Sequence, residues 1–164
     1  MTGEVQEWVQ HCVDTYPMKG KVLEVGSKDI CGNPRNHFPT DRFPFYVGVD
    51  TLAGQNVDLV LNAHELTSRF QGTYFDVVIT VEMIEHDDNF WVSFLEMGRV
   101  LKPGGYMIVT TRSWRGCGPH DCPNDYWRFM LEGLKRCLDL AGVEYLEGVD
   151  CEADGGVFAC GRKR

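Results

Sequence analysis

Long apolar runs are missing from this 164-residue chain. None reaches the roughly 18 residues that a membrane-spanning helix needs, so no membrane association is expected. The opening residues Met1-Thr2-Gly3-Glu4-Val5 have neither a basic start nor an apolar stretch, and no secretory signal is visible. Basic charge is scarce: 16 Lys and Arg stand against 24 Asp and Glu, a formal net charge of −8. Bulk electrostatics therefore oppose a broad nucleic-acid-binding face. The basic end Gly161-Arg162-Lys163-Arg164 reads as a solvated tail. A disulfide framework is not indicated either. The seven cysteines, at 12, 31, 117, 122, 137, 151 and 160, are odd in number and scattered, which fits a reduced, cytoplasmic setting. Repeats and linkers are also lacking. The expectation is one domain over 1–164, with an N-terminal helix in 1–20 and a core in 21–164.

What is present is apolar periodicity. Hydrophobic residues make up 43% of the chain, enough for a folded core. Val5, Trp8, Val9, Cys12, Val13 and Tyr16 recur at helical spacing and predict a helix ended by Pro17 and Gly20. Short apolar runs predict strands over Lys21–Val25, Phe45–Val49, Val57–Leu61, Phe75–Val81 and Tyr106–Thr110. Asp87 and Asp88 are candidate caps for a helix carrying Trp91, Phe94, Leu95 and Leu101, which Pro103-Gly104-Gly105 would stop. Trp127, Met130, Leu131, Leu134, Leu138 and Ala141 form a later helical stripe, closed by Gly142. Two last strands, Val143–Leu146 and Val157–Cys160, have no long helix between them and predict an edge hairpin. Strands without a polar face, alternating with connections, indicate an α/β fold: a mainly parallel sheet covered on both sides.

In such a sheet, ligands bind beyond the carboxyl ends of the strands, where strand order reverses. The residues at those ends are Glu24, Gly26 and Ser27, then Asp50 and Thr51, then Asn62, Ala63 and His64, then Glu82. Asp50 could accept both hydroxyl protons of a ribose diol, or simply close a strand-end turn. Gly26 lets backbone pass close to a ligand. Glu24 sits inside an apolar strand and needs a partner, either a ligand's amino group or donors in the turn.

Five segments in order carry a resemblance: Val-Leu-Glu-Val-Gly, Tyr-Val-Gly-Val-Asp, Asn-Ala-His-Glu-Leu, Phe-Asp-Val-Val-Ile-Thr-Val-Glu-Met-Ile-Glu-His and Arg-Val-Leu-Lys-Pro-Gly-Gly-Tyr. Together they resemble the class I S-adenosylmethionine-dependent methyltransferases, and most of all the type 11 methyltransferase domain. The resemblance spans about residues 20 to 160. It implies a single Rossmann-like doubly wound sheet of seven strands, mostly parallel, with an antiparallel C-terminal edge strand. It implies S-adenosylmethionine as cofactor. Glu24 and Gly26 would hold its amino-acid end, and Asp50 its ribose. Asn62 and Ala63 would line the adenine, and Val81 and Glu82 would lie beside the methionine portion; Ser27, Thr51 and His64, at the same strand tips, are further cofactor-binding candidates. The family's Gly-x-Gly-x-Gly run is replaced here by Gly26-Ser27-Lys28-Asp29-Ile30-Cys31-Gly32. A sulfonium cofactor carries no phosphate, so this loss weighs against a dinucleotide dehydrogenase more than against a methyltransferase.

The acceptor side reads less clearly. Val81-Glu82-Met83-Ile84-Glu85-His86 stands where nucleobase-amino methyltransferases often carry Asn/Asp-Pro-Pro-Tyr/Phe, which argues against that substrate. A small-molecule acceptor is expected instead. A homodimer or a partner subunit could complete an open pocket, and a silent methyltransferase-like module is the alternative function. His86 is the candidate general base, or else a helix cap. The 112–128 loop supplies His120, Tyr126 and Arg128 as candidate substrate contacts; Arg128 could equally pair with Asp125, and Trp127 is expected in the core. Cys117, His120 and Cys122 match no zinc spacing, so no metal is expected.

Overall fold

The computed structural model describes residues 1–30, 32–115, 118, 124–153 and 155–164. The apolar stripe of the first helix forms α1 (Gly3–Thr15), which buries Val5, Val9, Cys12 and Val13; the Thr2 hydroxyl accepts the Val5 N–H at its start. The chain then builds β1 (Lys21–Val25), β2 (Phe45–Asp50), β3 (Leu59–Val60), α2 (Leu66–Arg69), β4 (Phe75–Val81), α3 (Phe90–Val100), β5 (Leu101–Arg112), α4 (Leu131–Leu140), β6 (Val143–Cys151) and β7 (Gly156–Lys163). Seven strands form one sheet in the order β3-β2-β1-β4-β5-β7-β6. β3, β2, β1, β4 and β5 run parallel, and β7 runs antiparallel to both β5 and β6. The order reverses at β1 and β4, whose ends therefore bound the expected ligand crevice.

Successive residues of a strand face opposite sides. Leu23, Val25, Val78, Met107 and Val109 pack under α3 and α4, while Val22, Val77, Ile79 and Ile108 pack under α1 with Phe38 and Phe43. Both faces are buried, which is why the central strands carry no polar face.

Several boundaries differ from expectation. The fifth strand and the two last ones run longer than their apolar runs, as Leu101–Arg112, Val143–Cys151 and Gly156–Lys163, because β7 pairs along its length with both β5 and β6. The third strand shrinks from Val57–Leu61 to Leu59–Val60, because Asp58 turns its carboxylate onto the Gly48 N–H instead of continuing the ladder. α3 ends at Val100 without help from Pro103: Leu101 is already extended and opens β5. Residues 102–105 then bulge from the ladder, with register passing from Phe75↔Leu101 to Val77↔Tyr106. Gly105 is required in that bulge, since a Cβ there would lie 2.8 Å from the Asp76 carbonyl oxygen. Asp87 and Asp88 do not occupy the cap position of α3, which falls on Asn89. The late helix begins at Leu131, so Met130 and Trp127 stand outside it, and Trp127 is exposed rather than core.

Candidate active site

Beyond the carboxyl ends of β1, β2 and β4 lies a cavity of about 680 Å³. Glu24, Gly26, Ser27, Asp50, Thr51, Asn62, Ala63, His64, Val81, Glu82, His86 and Tyr126 all line it, so most candidate residues converge. Arg128 does not; its guanidinium grips Asp125 in a two-pronged ion pair at 2.5 and 2.6 Å, the structural reading of that residue. His120 and the Cys117 and Cys122 thiols lie outside the described residues. Among the described residues, no cluster of three metal-ligating side chains occurs.

The β1–β2 half of the cavity is shaped by backbone. After Val25 the chain turns at Gly26 with φ +81°, and the Gly26 and Ser27 N–H groups both bond the Val49 carbonyl. A Cβ at Gly26 would lie 2.5 Å from Met83 Cγ, so the turn is a close-packed seam between the β1 and β4 tips. Asp50 accepts the Lys28 N–H at 3.1 Å on one oxygen and the Leu52 N–H at 2.9 Å on the other. It closes its own turn and ties it to the glycine turn, with one further lone pair per oxygen. Asn62 accepts the His64 N–H at 2.9 Å, which starts the turn Ala63–Glu65.

Glu24 is buried and accepts a hydrogen bond from the Tyr46 hydroxyl at 2.9 Å. Arg35 stacks over the Tyr46 ring at 4.6 Å and pairs with Asp58. Burial pushes the Glu24 carboxyl up to about 8, with the Tyr46 hydrogen bond and the Arg35 charge pulling weakly the other way. A carboxyl in this setting keeps its proton at neutral pH until a cation is placed beside it. The Ser27 hydroxyl is buried with no hydrogen-bond partner among the described residues.

The β4–β5 half is shaped by side chains. Glu82 leaves the strand in the left-handed region, φ +50°, and pairs with Arg112 at 2.5 Å. A non-glycine residue there costs about 1–2 kcal/mol, and such strain gathers at functional sites. The turn Ile84–His86 follows. Glu85 is fully buried and accepts the Thr111 hydroxyl at 2.7 Å; among the described residues its other oxygen has no hydrogen bond and lies 3.9 Å from His86 Nε2. Burial raises the Glu85 carboxyl above its ordinary range. Its backbone carbonyl takes the Tyr126 and Trp127 N–H groups at 2.9 and 3.2 Å and so fastens the far loop over the cavity. Asp87 gathers His64 Nε2 at 2.9 Å, the Asn89 N–H at 3.0 Å and the Ser93 hydroxyl.

Sequence reasoning passed over Glu85, Arg112, Asp87 and Lys28 as site residues. Arg112 was findable as the tip of the fifth strand. Glu85 carried no such signal, since it stands among the polar residues Glu82, His86, Asp87 and Asp88 and nothing local marks it as the buried one.

Residues 36–109 match the family model described as Methyltransferase domain. No curated protein sequence matches the chain. Among solved structures, the YcgJ protein from Bacillus subtilis has a TM-score of 0.74 at 13% identity, covering 99% of each chain. The 1,6-didemethyltoxoflavin-N1-methyltransferase of Burkholderia thailandensis, solved with 1,6-didemethyltoxoflavin and S-adenosylhomocysteine, has a TM-score of 0.71 at 15% identity, over 97% of this chain and 76% of that one. The (4+2)-cyclase SpnF has a TM-score of 0.72 at 18% identity, over 98% and 80%. The family match begins after β1, so Glu24, Gly26 and Ser27 lie outside it. The chain has the α/β fold of the class I S-adenosylmethionine-dependent methyltransferases, and its residues 36–109 carry the methyltransferase-domain signature.

Proposed function

We propose that the cavity binds S-adenosylmethionine and that the protein transfers its methyl group to a small-molecule acceptor. The carrying observation is the convergence of the strand-tip residues Glu24, Asp50, Asn62 and Glu82 on one cavity of suitable size. The Ser27 hydroxyl, buried and without a hydrogen-bond partner among the described residues, and the Glu24 carboxyl suit an amino-acid end, and Asp50 retains lone pairs for a ribose diol. When bound, the cofactor supplies a methyl group on a cationic sulfur, which an acceptor's lone pair displaces in line, releasing S-adenosylhomocysteine.

The chain's residues supply binding, alignment and a proton site. Glu24 and Ser27 hold the amino-acid end. Asp50 and Thr51 hold the ribose. Asn62 and Ala63 line the adenine, with His64 fixed behind them by Asp87. Val81 and Glu82 flank the methionine portion, Glu82 being held in place by Arg112. His86 receives the proton that the acceptor loses. Its ring lines the cavity, with Nδ1 3.3 Å from the Asn124 carbonyl oxygen. Tyr126 borders the acceptor.

A second reading rests on the cyclase match: this fold also serves a protein named for a different reaction, so fold alone does not decide activity. A silent binding module is that alternative. The test is release of S-adenosylhomocysteine during incubation with S-adenosylmethionine and an acceptor library. Acceptor-dependent release is expected. Tight cofactor binding with no release across the library would favour the silent module.

A further inference from the structure

The acceptor mouth has a composition of its own. Tyr126, which lines the cavity, is 51% exposed; Trp127, next to it in the chain, and Trp91 are 37% and 41% exposed. Isolated exposed apolar residues are ordinary, but an apolar patch at a cleft marks binding. Here the two indoles are joined through one ring. Phe90 sits between the two indoles, with ring centroids 5.2 Å from Trp91 and 5.5 Å from Trp127, both edge-on. The Trp127 indole N–H donates to the Asp87 carbonyl at 2.9 Å, and the Tyr126 and Trp127 amides are tied to the Glu85 carbonyl. The Trp127 indole is therefore held in place before any ligand arrives, which lowers its ordering cost at binding.

Of the cations that line the cavity, Lys28 belongs to its β1–β2 half, beside Asp50, and the arginines near the ledge are paired. Arg112 is matched by Glu82, Arg128 by Asp125, and Arg115 by Glu152 and Asp150. Asp88 lines the cavity three residues before Trp91, hydrogen-bonded only to the neutral amide of Asn89 among the described residues. Aromatic faces attract cations through their quadrupole, and a nearby carboxylate adds to that attraction. The whole chain, at −8, steers the same way.

We propose, resting on the methyltransferase reading of the same cavity, that the acceptor is a flat apolar ring system bearing a cationic amine. The ring lies on the ledge of Trp91, Tyr126 and Trp127, and the ammonium group faces Asp88. An anionic acceptor of equal shape is disfavoured, because Arg112, the arginine that lines the cavity, already carries a carboxylate partner in Glu82.

Three ligands of one ring and differing charge test this by calorimetry: tryptamine, 3-ethylindole and indole-3-propionate, each titrated with and without S-adenosylhomocysteine. The amine is expected to bind at least tenfold more tightly than the carboxylate. Asp88→Asn is expected to erase most of that ratio, and Trp91→Ala to weaken both amine and neutral ligand several-fold. Equal or tighter binding of the carboxylate would overturn the proposal, as would indifference to both variants. Absence of S-adenosylhomocysteine binding would count against the cofactor reading alone, since the amine-to-carboxylate ratio is read without it as well.

Discussion

The two halves of the cavity are built on opposite principles. The β1–β2 half is made by main chain: a glycine turn, two amides on the Val49 carbonyl, and an aspartate that satisfies Lys28 and Leu52 amides. The β4–β5 half is made by side chains that hold one another: Glu82 with Arg112, Glu85 with Thr111, Asp87 with His64 and Ser93. A main-chain site tolerates variation around a few fixed residues. A side-chain site can be re-tuned for another acceptor while the first half is left alone. Changes in one half should therefore move one kinetic constant and spare the other.

The largest expected effect falls on the side-chain half. His86→Asn should lower kcat by about 10²–10⁴-fold if the imidazole takes the acceptor proton, with the cofactor dissociation constant unchanged. Equal loss of binding and turnover would break the comparison.

The second concerns pH. Burial holds the Glu24 carboxyl at about 8 against an ordinary 4.5, so the folded chain keeps a proton that the unfolded chain has lost. This group's contribution to stability is full below about pH 4.5 and disappears as pH rises through about 8. Cofactor affinity runs the other way, since a cationic amino group is held best by the ionised carboxylate. It should tighten by up to about tenfold per pH unit across that window and then level off. Glu24→Gln should flatten both profiles, read by thermal melts and by calorimetry.

Gly26→Ala comes next. The left-handed backbone and the contact with Met83 predict about 2–4 kcal/mol of lost stability, measured by urea unfolding. Asp50→Ala should cost about 1–3 kcal/mol of cofactor binding while leaving kcat at saturation intact. The smallest effect separates Glu85 from its neighbours. Glu85→Gln keeps the shape and an oxygen for the Thr111 hydroxyl, and since burial already disfavours the charged carboxylate it should change stability by less than about 1 kcal/mol; Glu85→Ala leaves a hole and takes away that oxygen, costing about 2–4 kcal/mol.

The same contrast explains what could be read from the sequence. Strand ends are written in apolar runs that stop at a polar residue, so Lys21–Val25 and Phe75–Val81 appear in the fold with unchanged limits, and Glu24, Asp50 and Glu82 lie at the cavity. Contacts between distant side chains leave no such trace. Thr111 meeting Glu85 spans 26 positions, and nothing local announces it. Trp127 fits a helical stripe by spacing, yet the chain is pulled extended there because its amide and that of Tyr126 bond the Glu85 carbonyl. The short β3 was hidden for a similar reason: Val57–Leu61 has strand composition, but Asp58 spends its carboxylate on Gly48.

Isothermal titration of the protein with S-adenosylmethionine, in buffers of different ionisation heat, tests the central claim most directly. The account predicts one site, no comparable binding of a nicotinamide dinucleotide, and proton release near neutral pH as Glu24 ionises against the cofactor's amino group. Absence of binding at millimolar S-adenosylmethionine would contradict it.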